Sequence, residues 1–259
     1  MPSPAINFMR GGTDLFSVLL ALSATRSVFT ADLYVIDGGT GRMRAAADHN
    51  DGAHWLEQSD TTKQCALPAP HADYDGQLCA TFDHTVPNWY TSNRAASAWP
   101  YIHSGLGHRV SFCMTPTVLL AGVVYWGTYT GGAQTGAWQS SQADTTSARW
   151  LVFNESGGGA IDASIAAAYT LNVARYYQIR FTDNASPEYQ VYVNGTAGAS
   201  GSSLTHSSKA PQSPLVLGRR ANTTAPVSMR FRDWISGPDT TEFADAIAAY
   251  QLATNGLAA

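Results

Sequence analysis

Carboxylate side chains are the first place to look for chemistry in this chain. Glycoside hydrolysis needs two carboxyl groups that flank the scissile bond, and alternate positions of one strand place two side chains on the same face. The glutamates are far apart in the sequence, at Glu57, Glu155, Glu188 and Glu242. No two of them are close enough to share a strand face, so the sequence argues against a hydrolase built on such a pair.

Histidines near residue 50 are the second candidate for chemistry. In the run Asp48-His-Asn-Asp-Gly-Ala-His54, the side chains of His49, Asp51 and His54 have the donor types of metal ligands. The alternative is a polar loop in which Asp and Asn bind their own backbone, and we favour that interpretation. The chain has no Gly-x-Ser-x-Gly nucleophile motif and no phosphate-binding glycine motif.

Three cysteines, Cys65, Cys79 and Cys113, lack the close pairing of a metal site. One disulfide is an alternative, but we predict three buried free thiols, because free cysteine behaves as a small hydrophobic residue. No metal or other cofactor is expected from these residues.

Bulk composition indicates a single large β domain. The 259 residues are 44% hydrophobic and 13% charged, which suits an extensive core with weakly charged loops. The formal net charge of -4 provides no electrostatic reason to expect nucleic acid or an anionic membrane as a partner.

The most apolar N-terminal run, Leu15 to Leu22, lies between Asp14 and Arg26. It is shorter than the roughly 20 apolar residues that span a bilayer, and the acidic residue before it does not fit a secretion signal. We therefore predict a protein made in the cytoplasm, without a signal peptide or a transmembrane segment.

Two segments have helical spacing. The first runs from about Thr13 to Thr25. The second follows Asp239-Thr-Thr-Glu242, which has the spacing of a capping box with Asp239 as the cap. Phe243, Ile247 and Tyr250 then form an apolar stripe that ends before Gly256.

The rest of the chain reads as short strands separated by turns. Alternation is plain in 176–181 and in 188–193, where Asn194-Gly195 predicts a tight hairpin. The other predicted strands are 32–36, 77–82, 109–114, 118–125, 148–153, 214–217 and 228–235. Many short strands with regular turns favour a sandwich or a barrel.

From about Asp32 onward the chain resembles the laminin-G-like, concanavalin A-like jelly rolls found in bacteriophage virion and bacterial surface proteins. The segments that carry the resemblance are Gly76–Asp83, Thr91–His103, Leu171–Phe181, the hairpin Tyr189–Thr196, Pro214-Leu-Val-Leu-Gly-Arg219 and Met229–Ile235. It implies an all-β, concanavalin A-like jelly-roll β-sandwich over residues 32–259, with a short C-terminal helix. Residues 1–31 are predicted to be an N-terminal arm that includes the first helix.

The resemblance also implies what chemistry to expect. Glucanases of this fold carry Glu-x-Asp-x-Glu on one strand, and this sequence has no such motif. Several laminin-G-like domains bind calcium at the sandwich rim, for which Asp37, Asp48, Asp51 or Asp233 would supply oxygens; capped turns or surface carboxylates are the favoured alternative. We predict that the protein is not an enzyme.

Tryptophans and tyrosines fill the space between two sheets, so Trp126, Trp150 and Trp234 are predicted core residues. Near Pro87 and Pro100 the choice between core and ligand stacking is open. There, four aromatic side chains are the candidate glycan-binding residues, namely Trp89, Tyr90, Trp99 and Tyr101.

The function predicted first is a structural protein of a bacteriophage virion, as a head decoration or a tail appendage. Its partners would be other virion proteins and copies of itself, with host surface polysaccharide as a further partner. The arm side chains Phe8, Leu15 and Leu19 are the predicted assembly contacts. The alternative is a lectin-like glycan-binding module that mediates adhesion, and a glycoside hydrolase ranks third.

Overall fold

A computed structural model describes most of the chain. The described residues are 15–22, 27–99, 107–128, 138–142, 147–153, 160–166, 169–182, 189–201, 211, 213–220 and 226–257. Phe8 and Tyr101, two of the predicted contact and binding residues, lie outside these ranges.

This part of the chain contains sixteen strands, two α-helices and three short 3-10 helices. The strands are β1 Val28–Ile36, β2 Met43–Asp48, β3 Trp55–Glu57, β4 Ala69–Pro70, β5 Leu78–Phe82, β6 Tyr90–Ser92, β7 His108–Val118, β8 Val124–Gly127, β9 Trp138–Gln142, β10 Ser147–Phe153, β11 Ala160–Ala166, β12 Arg175–Phe181, β13 Tyr189–Val193, β14 Thr196–Gly201, β15 Val216–Leu217 and β16 Ser228–Pro238. The α-helices are α1 Leu15–Leu22 and α2 Thr241–Asn255, and the 3-10 helices are Thr61–Lys63, Ala72–Tyr74 and Ala96–Ala98.

The strands form two antiparallel sheets that share β1. The first sheet has the order β14-β13-β12-β7-β16, and β16 also pairs with β1 and with β5. The second sheet has the order β1-β2-β3-β6-β15-β8-β9-β10-β11. Residues 28–30 of β1 pair with β16, and a register shift separates them from residues 34–36, which pair only with β2. Strand β1 therefore carries the chain from one sheet to the other.

Alternate residues of the first sheet face two different hydrophobic layers. Phe112 lies opposite Tyr177 and Trp234 on the neighbouring strands, and all three are in the cluster between the sheets. Their neighbours Cys113 and Tyr176 point the other way, into a second cluster under α2. Burying one such large apolar side chain contributes about 1.5–3 kcal/mol before entropy is subtracted. The fold is the predicted β-sandwich, with one sheet buried on both faces.

Helix α2 has the predicted apolar stripe and the predicted stop. Phe243, Ile247 and Tyr250 are buried against the first sheet, and Gly256 ends the helix with a left-handed φ of 66°. The predicted cap was wrong, however. The hydroxyl of Thr240 accepts from Phe243 N at 3.2 Å, whereas Asp239 accepts from Arg109 on β7 at 3.0 Å.

The hairpin prediction is confirmed, and one of the strand predictions is wrong. Asn194 and Gly195 have φ of 48° and 77°, as a two-residue hairpin turn between β13 and β14 requires. The strand predicted over 118–125 was wrong, because a turn with Gly122 at φ 75° separates β7 from β8. The predicted boundary between arm and sandwich, after residue 31, falls inside β1.

The predicted burial of the cysteines and of two tryptophans is confirmed. Cys65, Cys79 and Cys113 are free and buried, as predicted. Trp126 and Trp234 are fully buried core residues, as predicted. Trp150 lies in β10, but its side chain is outside the described set.

A candidate binding strip on the second sheet

Strand β3 presents two side chains on the outer face of the second sheet. Leu56 is fully buried in the cluster between the sheets. Trp55 and Glu57, one position before and after it, must therefore point away from the core, and both are half-buried. A tryptophan and a carboxylate thus lie on the same face of one short strand.

Strand β6 continues this face. In β6, Tyr90 and Ser92 are buried and Thr91 is half-buried; Trp89, directly before the strand, is also half-buried and continues the alternation. Glu57 pairs with Thr91 in the antiparallel register, so Trp55 and Trp89 lie at opposite ends of the same surface. Four residue steps along the strand direction separate them, or about 13 Å. We call the surface formed by Arg44, Trp55, Glu57, Trp89 and Thr91 the outer strip.

A charged pair occupies the middle of the outer strip. Arg44 on β2 donates from Nε and Nη2 to Oε1 of Glu57, at 3.1 and 2.8 Å. The Arg44 side chain is 52% exposed and that of Glu57 is 29% exposed. Each group therefore keeps polar atoms that a bound molecule can reach. An aromatic ring, a polar pair and a second aromatic ring follow one another along the strip.

Trp89 is held by a cation from the segment that follows β15, the strand next to β6. The Arg219 guanidinium carbon lies 3.7 Å from the centroid of the Trp89 ring, and burial lowers the pKa of Arg219. The backbone before Arg219 is constrained, because Gly218 has φ 95° and a Cβ there would meet Asn88 O at 2.8 Å. Gln58 also donates to the carbonyl of Trp89 at 2.9 Å. The ring is thus held in a defined position.

Trp55 is fixed through its backbone. Its N–H donates to Oδ1 of Asn93 at 3.0 Å, and its carbonyl accepts from Asn93 N at 3.0 Å. The side-chain amide of Asn93 donates to Ala53 O at 3.0 Å. One asparagine therefore binds the chain on both sides of residue 54.

A cluster of four charged or titratable side chains adjoins the Trp55 end of the strip. Nδ1 of His54 is 2.6 Å from Nη2 of Arg94 and 2.7 Å from Oδ2 of Asp51. Arg94 Nη2 is also 3.6 Å from Asp51 Oδ2 and 3.9 Å from Asp48 Oδ2. Desolvation raises the pKa of Asp48, even though Val28 N and Asn50 N donate to its other oxygen.

Two of the four predicted glycan-binding aromatics are core residues. The Tyr90 hydroxyl donates to Met43 O at 2.7 Å and accepts from Cys65 N at 2.9 Å. Trp99 packs edge-on against Trp234, with centroids 5.9 Å apart. Neither ring offers a face to solvent, so this part of the site prediction is corrected. Trp89 is the one predicted aromatic that lies on a described surface.

The sequence prediction missed Trp55. The signal was present, because in Trp55-Leu56-Glu57 an apolar residue lies between an aromatic and a charged one, as on an outward-facing strand. Three residues were too few to identify as a strand without its partners. Of the predicted assembly contacts Leu15 and Leu19 in α1, the structure describes the backbone but not the side chains.

The predicted calcium oxygens do not converge on one point. Asp37 accepts from Gly39 N and Thr40 N within its own turn, Asp48 and Asp51 face Arg94, and Asp233 accepts from Gln251. Among the described residues, no group of three or more His, Cys, Asp or Glu side chains is arranged to hold a metal ion. These four carboxylates therefore do not form one calcium site.

An open groove at the rim of the sandwich is a second surface feature, with a volume of about 360 Å³. Leu67 and Val86 line it and are exposed. Its buried amides are already used, since Gln64 donates to Asp37 and Gln58, and Asn88 donates to Lys63 and Gln64 carbonyls. The donors of these two amides are therefore not available to a molecule bound in the groove.

Comparison with known proteins places the fold. No protein-family model matches the chain, and no curated protein matches it. The binding domain of Paraclostridial Mosquitocidal Protein 1 is similar, with a TM-score of 0.57 and 14% identity over 88% of this chain and 52% of that chain. The binding domain of Botulinum neurotoxin serotype D has a TM-score of 0.54 and 10% identity over 91% of this chain and 53% of that chain.

A sialidase is also similar. The Trypanosoma rangeli enzyme in complex with 2,3-difluorosialic acid has a TM-score of 0.53 and 12% identity, over 87% of this chain and 33% of that chain. The chain thus spans about half of each toxin domain and a third of the sialidase. At these identities the likeness establishes the fold, and it confirms the predicted lectin-like jelly-roll sandwich. In the described part of the chain, neither helix has the length and apolar character needed to cross a membrane.

Proposed function

We propose that this protein is a non-catalytic carbohydrate-binding module that holds an oligosaccharide on the outer strip. The observation that carries the proposal is the arrangement of Trp55 on β3 and Trp89 directly before β6, two half-buried tryptophans with the Arg44–Glu57 pair between them along the strip. This is the alternative that the sequence suggested, transferred from the predicted loop aromatics to a sheet face.

The chemistry of sugars supports this assignment. A pyranose ring has an apolar face and a rim of hydroxyl groups, so it fits an aromatic ring beside polar side chains. The aromatic rings would cover the apolar face, and removing that surface from water contributes about 25 cal/mol per Å². Glu57 would accept from a sugar hydroxyl while Arg44 donates to one.

Preorganisation further supports the strip. Arg219 holds the Trp89 ring, and Asn93 binds the backbone on both sides of residue 54. A ring that is already ordered loses less conformational freedom when a ligand binds. The same-fold proteins add indirect support, since two are named as binding domains and the third was determined with a sialic acid derivative.

Titration calorimetry of the full chain with four oligosaccharides tests the proposal: the acidic α2,3-sialyllactose and the neutral cellohexaose, chitohexaose and laminarihexaose. We expect at least one of them to bind, and Trp89→Ala and Trp55→Ala each to weaken binding about tenfold, equivalent to about 1.4 kcal/mol. Leu252→Ala is the matched control, because Leu252 is 56% exposed on α2, away from the strip.

The proposal fails if none of the four sugars binds, or if the two tryptophan variants bind as tightly as Leu252→Ala does. Circular dichroism of each variant would first establish that its fold is unchanged. A sugar that binds but is hydrolysed would contradict the non-catalytic part of the proposal alone.

A place in a bacteriophage virion remains a prediction from the resemblance. A virion protein with this sandwich would present the outer strip to host polysaccharide, so the two functions are compatible. Electron microscopy of virions would test it, and absence of density for this chain would remove it.

A further inference from the structure

His54 makes two contacts through one nitrogen that cannot both be hydrogen bonds in the same protonation state. Nδ1 is 2.6 Å from Nη2 of Arg94, which can only donate, and 2.7 Å from Oδ2 of Asp51, which accepts when ionised. If Nδ1 carries no proton, it accepts from Arg94 and its lone pair faces the carboxylate. If Nδ1 carries a proton, it donates to Asp51, and the guanidinium of Arg94 then has no acceptor on this nitrogen.

We propose that His54 is a proton-operated switch at the Trp55 end of the outer strip, exchanging its partner between Arg94 and Asp51. Neutral His54 accepts from Arg94. Protonated His54 donates to Asp51 and releases Arg94 toward Asp48. The exchange itself depends only on the geometry of the cluster; its effect on ligand binding rests on the proposed function.

A carboxylate oxygen of Asp48 lies close enough to Arg94 to make the exchange feasible. Oδ2 of Asp48 is buried and lies 3.9 Å from Arg94 Nη2. A movement of about 1 Å would bring the two atoms to the distance of a charge-assisted hydrogen bond. The Asp48 side chain is fully buried, so such a bond would offset part of the desolvation of its carboxylate.

The charges around His54 define the two states. Asp51 contacts His54 from the same loop and Arg94 contacts it from the segment after β6, whereas Asp48 at the end of β2 faces Arg94. His49 is directed elsewhere, since its Nε2 is 2.8 Å from the hydroxyl of Thr30. With neutral His54 the two carboxylates share one cation. With protonated His54 there are two cations for two carboxylates, and both pairs are formed.

His54 and Arg94 are both connected to Trp55. His54 precedes Trp55 directly, and Arg94 follows Asn93, whose side chain and backbone bind Trp55 on both sides. Two ion pairs would hold this end of the strip more firmly than one. We therefore expect oligosaccharide affinity to rise by about two- to fivefold from pH 8 to pH 5, the size of effect that an ion pair at a protein surface produces.

Nuclear magnetic resonance of the full chain tests the switch without any ligand. The ¹⁵N shift of His54 Nδ1, assigned by its loss in His54→Gln, should change from the unprotonated to the protonated value as pH falls. The Arg94 side-chain ¹⁵N and Asp48 carboxyl ¹³C shifts should follow with the same midpoint. A proton on Nδ1 at every pH from 5 to 8, or Arg94 and Asp48 shifts that do not follow, would overturn the proposal.

Matched variants distinguish a switch from general acid sensitivity. His54→Gln should abolish the Arg94 and Asp48 transitions. His71→Gln should leave them unchanged, because His71 forms a separate pair, with its Nδ1 3.4 Å from Asp73 Oδ1. If His71→Gln removes the transitions as well, the switch is wrong.

Affinity measured at both pH values for each of the four oligosaccharides separates the switch from the proposed function. If none binds but the shifts change as described, the switch stands and the carbohydrate proposal fails. If a sugar binds equally at both pH values in the unmodified chain and in His54→Gln, the strip stands and its regulation fails.

Discussion

Gln251 in the last turns of α2 donates from its side-chain amide to both oxygens of Asp233 on β16, at 3.1 and 3.2 Å. Both residues are fully buried, and Asn255 donates to the same carboxylate at 3.2 Å. The helix is therefore attached to the sheet by a polar cluster inside an otherwise apolar layer. A buried carboxylate of this kind makes stability depend on pH.

Asp233→Asn should change the pH dependence of folding. Burial raises the Asp233 pKa from 3.8 to about 6, so the folded state holds this proton more tightly than the unfolded state. The resulting stabilisation is present below about pH 4 and is lost as pH rises to about 6, by an amount on the order of 3 kcal/mol. In urea unfolding from pH 4 to 7, the unfolding free energy of the variant should increase relative to that of the unmodified chain as pH rises, because the variant lacks this decline. Asp245→Asn, the same change at an exposed position of α2, should keep it.

His49→Gln should change the same profile in the opposite direction. Burial and the nearby Arg232 charge lower the His49 pKa from 6.5 to about 4, so the unfolded state takes up this proton first. The stability associated with neutral His49 is present above about pH 6.5 and is lost as pH falls to about 4, by no more than about 3 kcal/mol. We expect the variant to lose less stability on acidification, and an unchanged slope of unfolding free energy against pH would contradict this.

Asp239→Ala should destabilise the fold more than Thr240→Ala, the reverse of what the capping-box pattern predicts. The Arg109–Asp239 pair is 3.0 Å long and each side chain is only 7% exposed. Removing the carboxylate leaves Arg109 without its charged partner, which costs about 3–5 kcal/mol. Loss of the Thr240 cap costs about 1 kcal/mol. Chemical denaturation of both variants checks the ranking, and equal losses would contradict it.

Arg219→Gln should weaken sugar binding without unfolding the protein. The guanidinium holds the Trp89 ring through a cation–π contact between two half-buried side chains, and such a contact contributes about 0.5–1 kcal/mol where water still reaches the groups. We expect affinity for the oligosaccharide that binds in calorimetry to fall about two- to fivefold. Arg42→Gln, an exposed change at the rim groove, is the control. Equal affinities for the two variants would show that Arg219 does not position the ring.

Local patterns in the amino-acid sequence were sufficient to predict several elements. Alternation identified most of the long strands, Asn194-Gly195 identified a hairpin, and the stripe of Phe243, Ile247 and Tyr250 identified the face of α2 that is buried. These features depend on neighbours within a few positions, because a period of two or of 3.6 residues places side chains on faces without knowledge of any partner.

The tertiary structure alone decided which faces meet. Trp89 and Tyr90 are adjacent in sequence, yet one lies on the outer strip and the other binds Met43, 47 residues away. Asp239 resembles a helix cap until β7 brings Arg109 beside it across 130 residues. The outer strip exists because β3 pairs with β6, and the His54 cluster exists because the same pairing brings Arg94 beside the loop before β3. Strand pairing is a long-range choice, and local periodicity carries no information about it.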